Sequence, residues 1–371
     1  MVLASPLDKQ TPGGQPGASP RRSVRWRGFI ATFFGTLIAA FVATCFFVVI
    51  VDPYDNLAFS PRWKHHRLML DPRFEFPGVI RHGSFDSAVF GTSTVMLLDP
   101  KLLDRQIGGR FANLGIPNGS AWEQTQTIKL FARHTSKPRM IIVGIDTVWC
   151  SPKVPAPRGT PEQPFPIWEY DENPWNDYLH IFNAKSVHYA FAQARVMLGL
   201  SEPKLRDDGY WQFVPDDSLY DAHRASEKIF GSHASIFAEP HLEDGGFGAA
   251  EWIYPDLKML EDAFNAFPPA TRKIALFAPY HVERYASPYE AARFSRCKDA
   301  VVKLAQGRSD TTVIDFMFPN ALTRDAGNYW DQLHYRIGPA NEIVESLAQV
   351  IRQRATDGPL FRVLWVPTPK R

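Results

Sequence analysis

Two short stretches of the chain carry residue types that can do acyl chemistry together. Over residues 84–96 an apolar run ends at Gly91-Thr92-Ser93, and far downstream stands Asp331-Gln332-Leu333-His334. A serine hydroxyl becomes a useful nucleophile when a neighbouring base takes its proton. An aspartate three residues before a histidine in a turn can bend its carboxylate back to the imidazole, which fixes the tautomer and stabilises the imidazolium. The second ring nitrogen is then free to accept the serine proton. The types therefore describe a nucleophile, a general base and an orienting acid.

Neither half is specific alone. At average glycine and serine usage, G-x-S arises about twice by chance in a chain of this length, and Gly17-Ala18-Ser19 is one such occurrence. Asp177-Tyr178-Leu179-His180 likewise repeats the D-x-x-H spacing. Position separates the candidates, because Ser93 and His334 each follow an expected sheet strand, where side chains at the carboxyl edge of an α/β sheet converge. Asp177 and His180 follow none.

The strands come from a regular alternation. Apolar runs at 84–90, 110–116, 139–149, 273–277 and 311–317 read as five strands, with Gly91 allowing a sharp turn and 94–98 opening a helix after the first. Helical spacing is expected at 121–134, 254–267, 288–306 and 341–354. Strands alternating with helices predict an α/β domain over 84–354, a three-layer α/β/α sandwich around a five-stranded, mostly parallel sheet. Between about 150 and 242 the rhythm breaks at a proline-rich loop, followed by helices near 184–199 and 221–229. This reads as an inserted helical and loop subdomain. Its aromatic residues, among them Trp168, Tyr170, Trp175, Tyr178, Tyr210 and Trp211, suit either the packing of that subdomain or a sugar-binding wall.

No charged residue occurs from 28 to 51. At about 1.5 Å per residue the run spans a hydrocarbon core of about 30 Å, and it is longer than a signal-peptide core and ends in bulky residues. It is expected to be an uncleaved transmembrane helix. Arg21, Arg22, Arg25 and Arg27 precede it, which predicts a single pass of the inner (cytoplasmic) membrane with a cytoplasmic N-terminus and an extracytoplasmic, periplasmic domain. Residues 1–27 read as a disordered cytoplasmic tail, 52–83 as an irregular juxtamembrane linker and 355–371 as a C-terminal tail. Net charge is +2 with a pI near 8.3, which gives no reason to expect nucleic acid as a partner. Of three cysteines, Cys45 lies in the apolar run. An oxidising compartment would permit Cys150 and Cys297 to pair, although three cysteines make no disulfide framework and the sequence favours two free thiols. His65-His66 lack a third ligand at sensible spacing, so no metal is expected.

In block order the sequence resembles the SGNH (GDSL-like) hydrolase superfamily. Within it, the chain is similar to the membrane-anchored branch that includes alginate O-acetyltransferase-like and D-alanyl-lipoteichoic-acid-type proteins. Gly91-Thr92-Ser93 matches the nucleophile block, Asn113-Leu114-Gly115 the glycine block and Asp331-Gln332-Leu333-His334 the terminal block. The resemblance implies an SGNH/flavodoxin-like sheet, Ser93 as nucleophile, His334 as general base and then acid, and Asp331 as its orienting partner. It also implies that the backbone N–H groups of Ser93 and Gly115 receive the oxyanion.

One block departs. Where the superfamily usually has an asparagine after the third strand, this chain has Gly144-Ile145-Asp146. A carboxylate cannot donate a hydrogen bond unless protonated. Asn118 is the candidate for the missing amide, and Asp146 then either binds substrate hydroxyls or caps the strand end. His281 is expected to line the site or to sit exposed in a loop. Arg336 is expected to bind an anionic substrate group or to pair with a surface acid. The implied activity is that of a membrane-anchored serine O-acyltransferase or esterase acting on acyl esters of a cell-surface polysaccharide, without a cofactor. A membrane-bound acyl donor protein is an implied partner. The competing expectation is a catalytically weak SGNH-fold protein that binds glycan or assembles an envelope polymer complex.

Overall fold

The computed structural model describes residues 26–61, 68, 71–152, 164–231 and 252–367. The chain divides into two compact units, Met1–Phe46 and Phe47–Arg371. The described part of the first belongs to helix α1 (Trp26–Val51), the one helix among the described residues long and apolar enough to cross a membrane. It begins at Trp26, so residues 1–25 of the expected tail lie outside the described residues, as do His65 and His66.

The second unit is α/β and is built on a mixed six-stranded sheet. Strands β1 (Ser87–Gly91), β2 (Phe111–Gly115), β3 (Met140–Ile145), β4 (Arg272–Phe277) and β5 (Thr311–Asp315) are parallel, and β6 (Arg362–Trp365) runs antiparallel to β5 in the order β2-β1-β3-β4-β5-β6. Continuous apolar runs such as Met-Ile-Ile-Val-Gly-Ile suit strands covered on both faces. Ala88, Phe90, Ile141, Val143, Ala275 and Phe277 pack on one face, with Ile128 and Phe131 of α4 (Ala121–His134) and Leu260 of the helix over Asp256–Asn265. Val89, Ile142, Ile274, Leu276 and Ile314 pack on the other, with Leu103 of α3 (Pro100–Ile107) and Leu347 of the helix over Ile337–Gln353. The chain enters at β1, pairs outward to β2, then returns to β3 on the opposite side of β1. That reversal opens a crevice at the carboxyl ends of β1 and β3.

Three features depart from the sequence reading. The sheet has six strands rather than five, because β6 lies within 355–371, which reads as tail; it is a four-residue edge strand with no fully buried side chain and so carries a weak signal. The expected linker 52–83 contains α2 (Pro72–His82), whose N-cap Asp71 accepts from the Arg73 N–H. Its Arg73 forms a buried ion pair with Glu123, Nε to Oε1 at 2.8 Å, so α2 is part of the fold and not a spacer. Finally, 94–98 forms no α-helix. A single 3₁₀ turn over Ser93–Val95 follows β1, and the helix starts later at α3, capped by Asp99 ahead of Pro100.

Among the described residues between β3 and β4 no strand of the sheet arises, and they carry α5 (Asp177–His180), α6 (Ala184–Met197) and α7 (Ala222–Phe230) before α8 (Asp256–Asn265). The insertion is bound to the sheet. The Asn113 N–H of edge strand β2 donates to the Asp208 carbonyl at 2.8 Å, and Gly209, at φ +78°, sits where a Cβ would collide with the Asn113 carbonyl oxygen. Beyond β4 come α9 (Pro288–Gln306), α10 (Ala321–Arg324) and α11 (Ile337–Gln353).

Cys150 and Cys297 are joined in a disulfide, against the expectation of two free thiols. They stand 147 residues apart, a separation that conceals the pairing until the turn after β3 is seen beneath α9. Arg293, one turn earlier on α9, donates to the carbonyls of Cys150 and Thr147, each at 2.9 Å, and holds the same two segments together.

Candidate active site

Ser93 stands at the crevice, two residues past the end of β1. The turn that presents it is tightly packed. A Cβ on Gly91 would lie 2.6 Å from Val95 Cγ2, and one on Gly144 would lie 2.5 Å from Val95 Cγ1. Val95 is thus wedged between β1 and β3, and neither position tolerates a side chain.

Three further groups hold this turn, and the sequence reading assigned none of them this role. From β2, the buried Asn113 Nδ2 reaches the carbonyls of Val95, Met96 and Leu98 at 2.9, 3.2 and 3.0 Å. From β3, Asp146 accepts from the hydroxyl of Thr92 and, at 3.4 Å, from that of Thr94, the two neighbours of Ser93. From the last loop, the Tyr335 hydroxyl donates to the Thr94 carbonyl. The available signal was a polar residue, Asn113, inside an apolar strand, since a buried amide must find partners.

His334 comes from the loop between β5 and α11. Its Nε2 is 2.8 Å from Ser93 Oγ, and its Nδ1 is 2.7 Å from Asp331 Oδ2. Asp331 Oδ1 accepts the N–H groups of Leu333 and His334 at 2.8 and 2.9 Å, which is how the i to i+3 spacing folds the carboxylate onto the ring. Burial pushes the Asp331 carboxyl up, but the hydrogen bond and charge of His334 and these two N–H groups outweigh it and hold the group below the usual carboxylate range. With Nδ1–H donated to a carboxylate, Nε2 offers its lone pair to the serine hydroxyl. The loop is closed by a Tyr329–Tyr335 bridge and by the Trp330 N–H donating to the His334 carbonyl at 2.8 Å. Ser93, Asp331 and His334 therefore meet as a hydrogen-bonded relay. The Asp177–His180 pair forms the short α5 of the insertion instead.

The other expected site residues take different places. The Gly115 N–H donates to Asn113 Oδ1 at 3.1 Å, because the same amide that holds the Ser93 turn turns its oxygen on its own strand, so Gly115 is not free to receive an oxyanion. The Ser93 N–H has no partner among the described residues. Asn118 is exposed, at φ +51° in the turn closed by the Gly119 N–H on the Ile116 carbonyl, and its left-handed backbone accounts for an asparagine there. Asp146 is 1% exposed and does not face a substrate. Its Oδ1 accepts the Val148 N–H at 3.0 Å, so it caps the end of β3, and burial pushes its carboxyl up against the opposing bonds from Thr92, Val148 and Thr94. His281 is buried between the rings of Phe230 and Tyr329 rather than exposed or lining the site. Burial holds its imidazole below the ordinary histidine range. Of its two expected partners, Arg336 takes a surface acid: it pairs with Asp217 at 3.1 Å and stacks on Tyr220, both in the insertion.

A cleft of about 610 Å³ opens beside the relay, with Asp331, His334 and Trp330 on one side and Phe213, Val214, Leu219, Asp221, Arg224 and Lys228 of the insertion on the other. Phe213 sets its ring edge-on to His334 at 5.2 Å. Among the described residues no group of three or more His, Cys, Asp or Glu side chains could hold a metal ion. In comparisons with known proteins, the chain matches no family model and no curated protein.

Proposed function

We propose that this chain is a membrane-anchored serine acyl-enzyme catalyst of the SGNH type, acting on acyl esters of a cell-surface polysaccharide. The observation that carries the reading is the Asp331–His334–Ser93 relay, at 2.7 and 2.8 Å, with Asp331 and His334 on the wall of a cleft shared with the insertion. Ser93 Oγ attacks the ester carbonyl as His334 Nε2 takes its proton, and the Ser93 N–H stabilises the oxyanion. His334 then returns the proton to the departing alkoxide, leaving acyl-Ser93. Water in the second half-reaction gives an esterase, and a sugar hydroxyl gives an O-acyltransferase. The branch resemblance and a tether beside a surface polymer favour transfer, with a membrane-bound acyl donor as partner.

The Cys150–Cys297 disulfide supports an oxidising, extracytoplasmic compartment, and the arginines ahead of α1 support a cytoplasmic N-terminus in an inner membrane. A sandwich of the SGNH type accords with helices on both faces of the five parallel strands.

A second reading, a non-catalytic glycan-binding or assembly protein, draws on the oxyanion side. There Gly115 is engaged, Asp146 is buried and Asn118 is committed to a turn. Treating the detergent-solubilised protein with a fluorophosphonate separates the two. Labelling that disappears in Ser93→Ala supports catalysis, and labelling equal in both proteins rejects it. An aryl acetate supplied with and without an oligosaccharide then distinguishes transferase from hydrolase by whether the acceptor changes acyl release.

A further inference from the structure

Helix α6 has two unlike faces. Tyr189, Ala190, Gln193 and Val196 are buried, the first two in a cluster with Val48, Val51, Tyr54 and Phe74. The opposite stripe, Ala184, His188, Phe191, Arg195 and Leu198, follows helical spacing and is exposed, and Leu200 just beyond the helix is exposed too. Phe191, Leu198 and Leu200 are 58%, 74% and 66% exposed, more than water tolerates comfortably for three large apolar side chains so close in sequence.

The last turn of α1 says what covers this face. The Phe191 ring lies 4.9 Å from that of Phe47. Phe47 precedes the end of the uncharged run at Val51 by four residues, about 6 Å of helix rise. Whatever stands beside Phe47 is therefore at the depth of lipid, if α1 crosses the bilayer. We infer that the exposed stripe of α6, with Leu198 and Leu200, seats in the outer interface of the bilayer, Phe191 and the leucines among acyl chains and Arg195 and His188 reaching toward headgroups. An apolar stripe edged by basic residues is the pattern of interfacial helices. The inference rests on the membrane-span reading of α1. It deepens that reading, because the insertion would then be a second contact with the bilayer.

The test uses the full chain in vesicles of phosphatidylcholine and phosphatidylglycerol, with Cys45→Ser to remove the free thiol. Nitroxide labels go on Leu198→Cys, Leu200→Cys, Ile38→Cys within α1 and Lys258→Cys on α8, each an exposed position, and relative access to oxygen and to a water-soluble nickel chelate is read by power saturation. Labels at 198 and 200 shifted toward oxygen, like that at 38 and unlike that at 258, support the inference. If 38 reports lipid while 198 and 200 report water, or are shielded from both reagents by a protein partner, the inference is overturned and the membrane span stands. Water access at 38 overturns the span itself.

Discussion

Tyr335, the residue after His334, donates its hydroxyl to the carbonyl oxygen of Thr94, the residue after Ser93. The two chain segments of the relay are thus joined twice, once by the reactive pair and once by their immediate neighbours. Tyr335 is fully buried, and burial drives its phenol well above the ordinary tyrosine range, so it stays a donor.

Tyr335→Phe removes that second link. It should cost about 1–3 kcal/mol, the range for a buried acceptor left unsatisfied, and should slow fluorophosphonate labelling while Ser93 and His334 remain. Denaturant melts and labelling rates measured on one preparation check both. Labelling at the wild-type rate would mean that the Tyr335–Thr94 link does not position the relay.

Asp331→Asn keeps an oxygen for the N–H groups of Leu333 and His334 but turns an amide on His334 Nδ1. The ring is then held in the wrong tautomer. Acyl transfer should fall on the order of 10⁴-fold, as when the orienting carboxylate of a serine triad becomes an amide. The same substitution has a signature in stability. Because the folded carboxyl lies below its unfolded value of about 4, its contribution is present above that pH and is lost as pH falls through the folded value. The wild type should therefore shed part of its advantage over the variant in acid, measured by melts across the acidic range.

Asp146→Asn tests the opposite sign. Burial raises the folded pKa of Asp146, so the folded state holds its proton where the unfolded chain has released it, and stability falls as pH rises from about 4. The asparagine variant lacks this loss and should gain relative to wild type with rising pH. Asn can still accept from Val148 and bond the hydroxyls of Thr92 and Thr94. A stability gap that is flat with pH would mean the carboxyl is not buried as described.

Cys297→Ser opens the disulfide. Removing a native bridge typically costs about 2–5 kcal/mol, and here it also frees the turn that carries Asp146, whose carbonyl accepts the Cys150 N–H at 3.0 Å. Thermal melts should show the loss, and labelling of Ser93 should slow with it. A full loss of stability with unchanged labelling would separate the bridge from the site.

Much of this was legible in the sequence because it is local. The five parallel strands are apolar runs bounded by turn residues, and the Asp331-to-His334 spacing folds itself. What was not legible depends on partners far along the chain. Asn113 looked like a block residue, and Asp146 like a poor oxyanion donor that binds substrate hydroxyls or caps its strand end; the cap is there, but that both also serve the turn after β1, from β2 and from the end of β3, needed the fold. Arg336 stood open between an anionic substrate group and a surface acid, and only the folded insertion brings it Asp217 and Tyr220. The β6 strand failed for a different reason, since a short edge strand of one exposed and three half-buried residues has too little apolar periodicity to read.

The bond from the Asn113 N–H to the Asp208 carbonyl has a practical side. The insertion shields an otherwise open sheet edge, and open edges invite pairing between molecules. Pruning the loop to widen the cleft would bare that strand and favour association over a new specificity. On the proposed function, re-tailoring of substrate choice belongs further along the insertion, at Phe213, Leu219, Arg224 and Lys228, where side chains can be exchanged while the backbone that guards β2 is left alone.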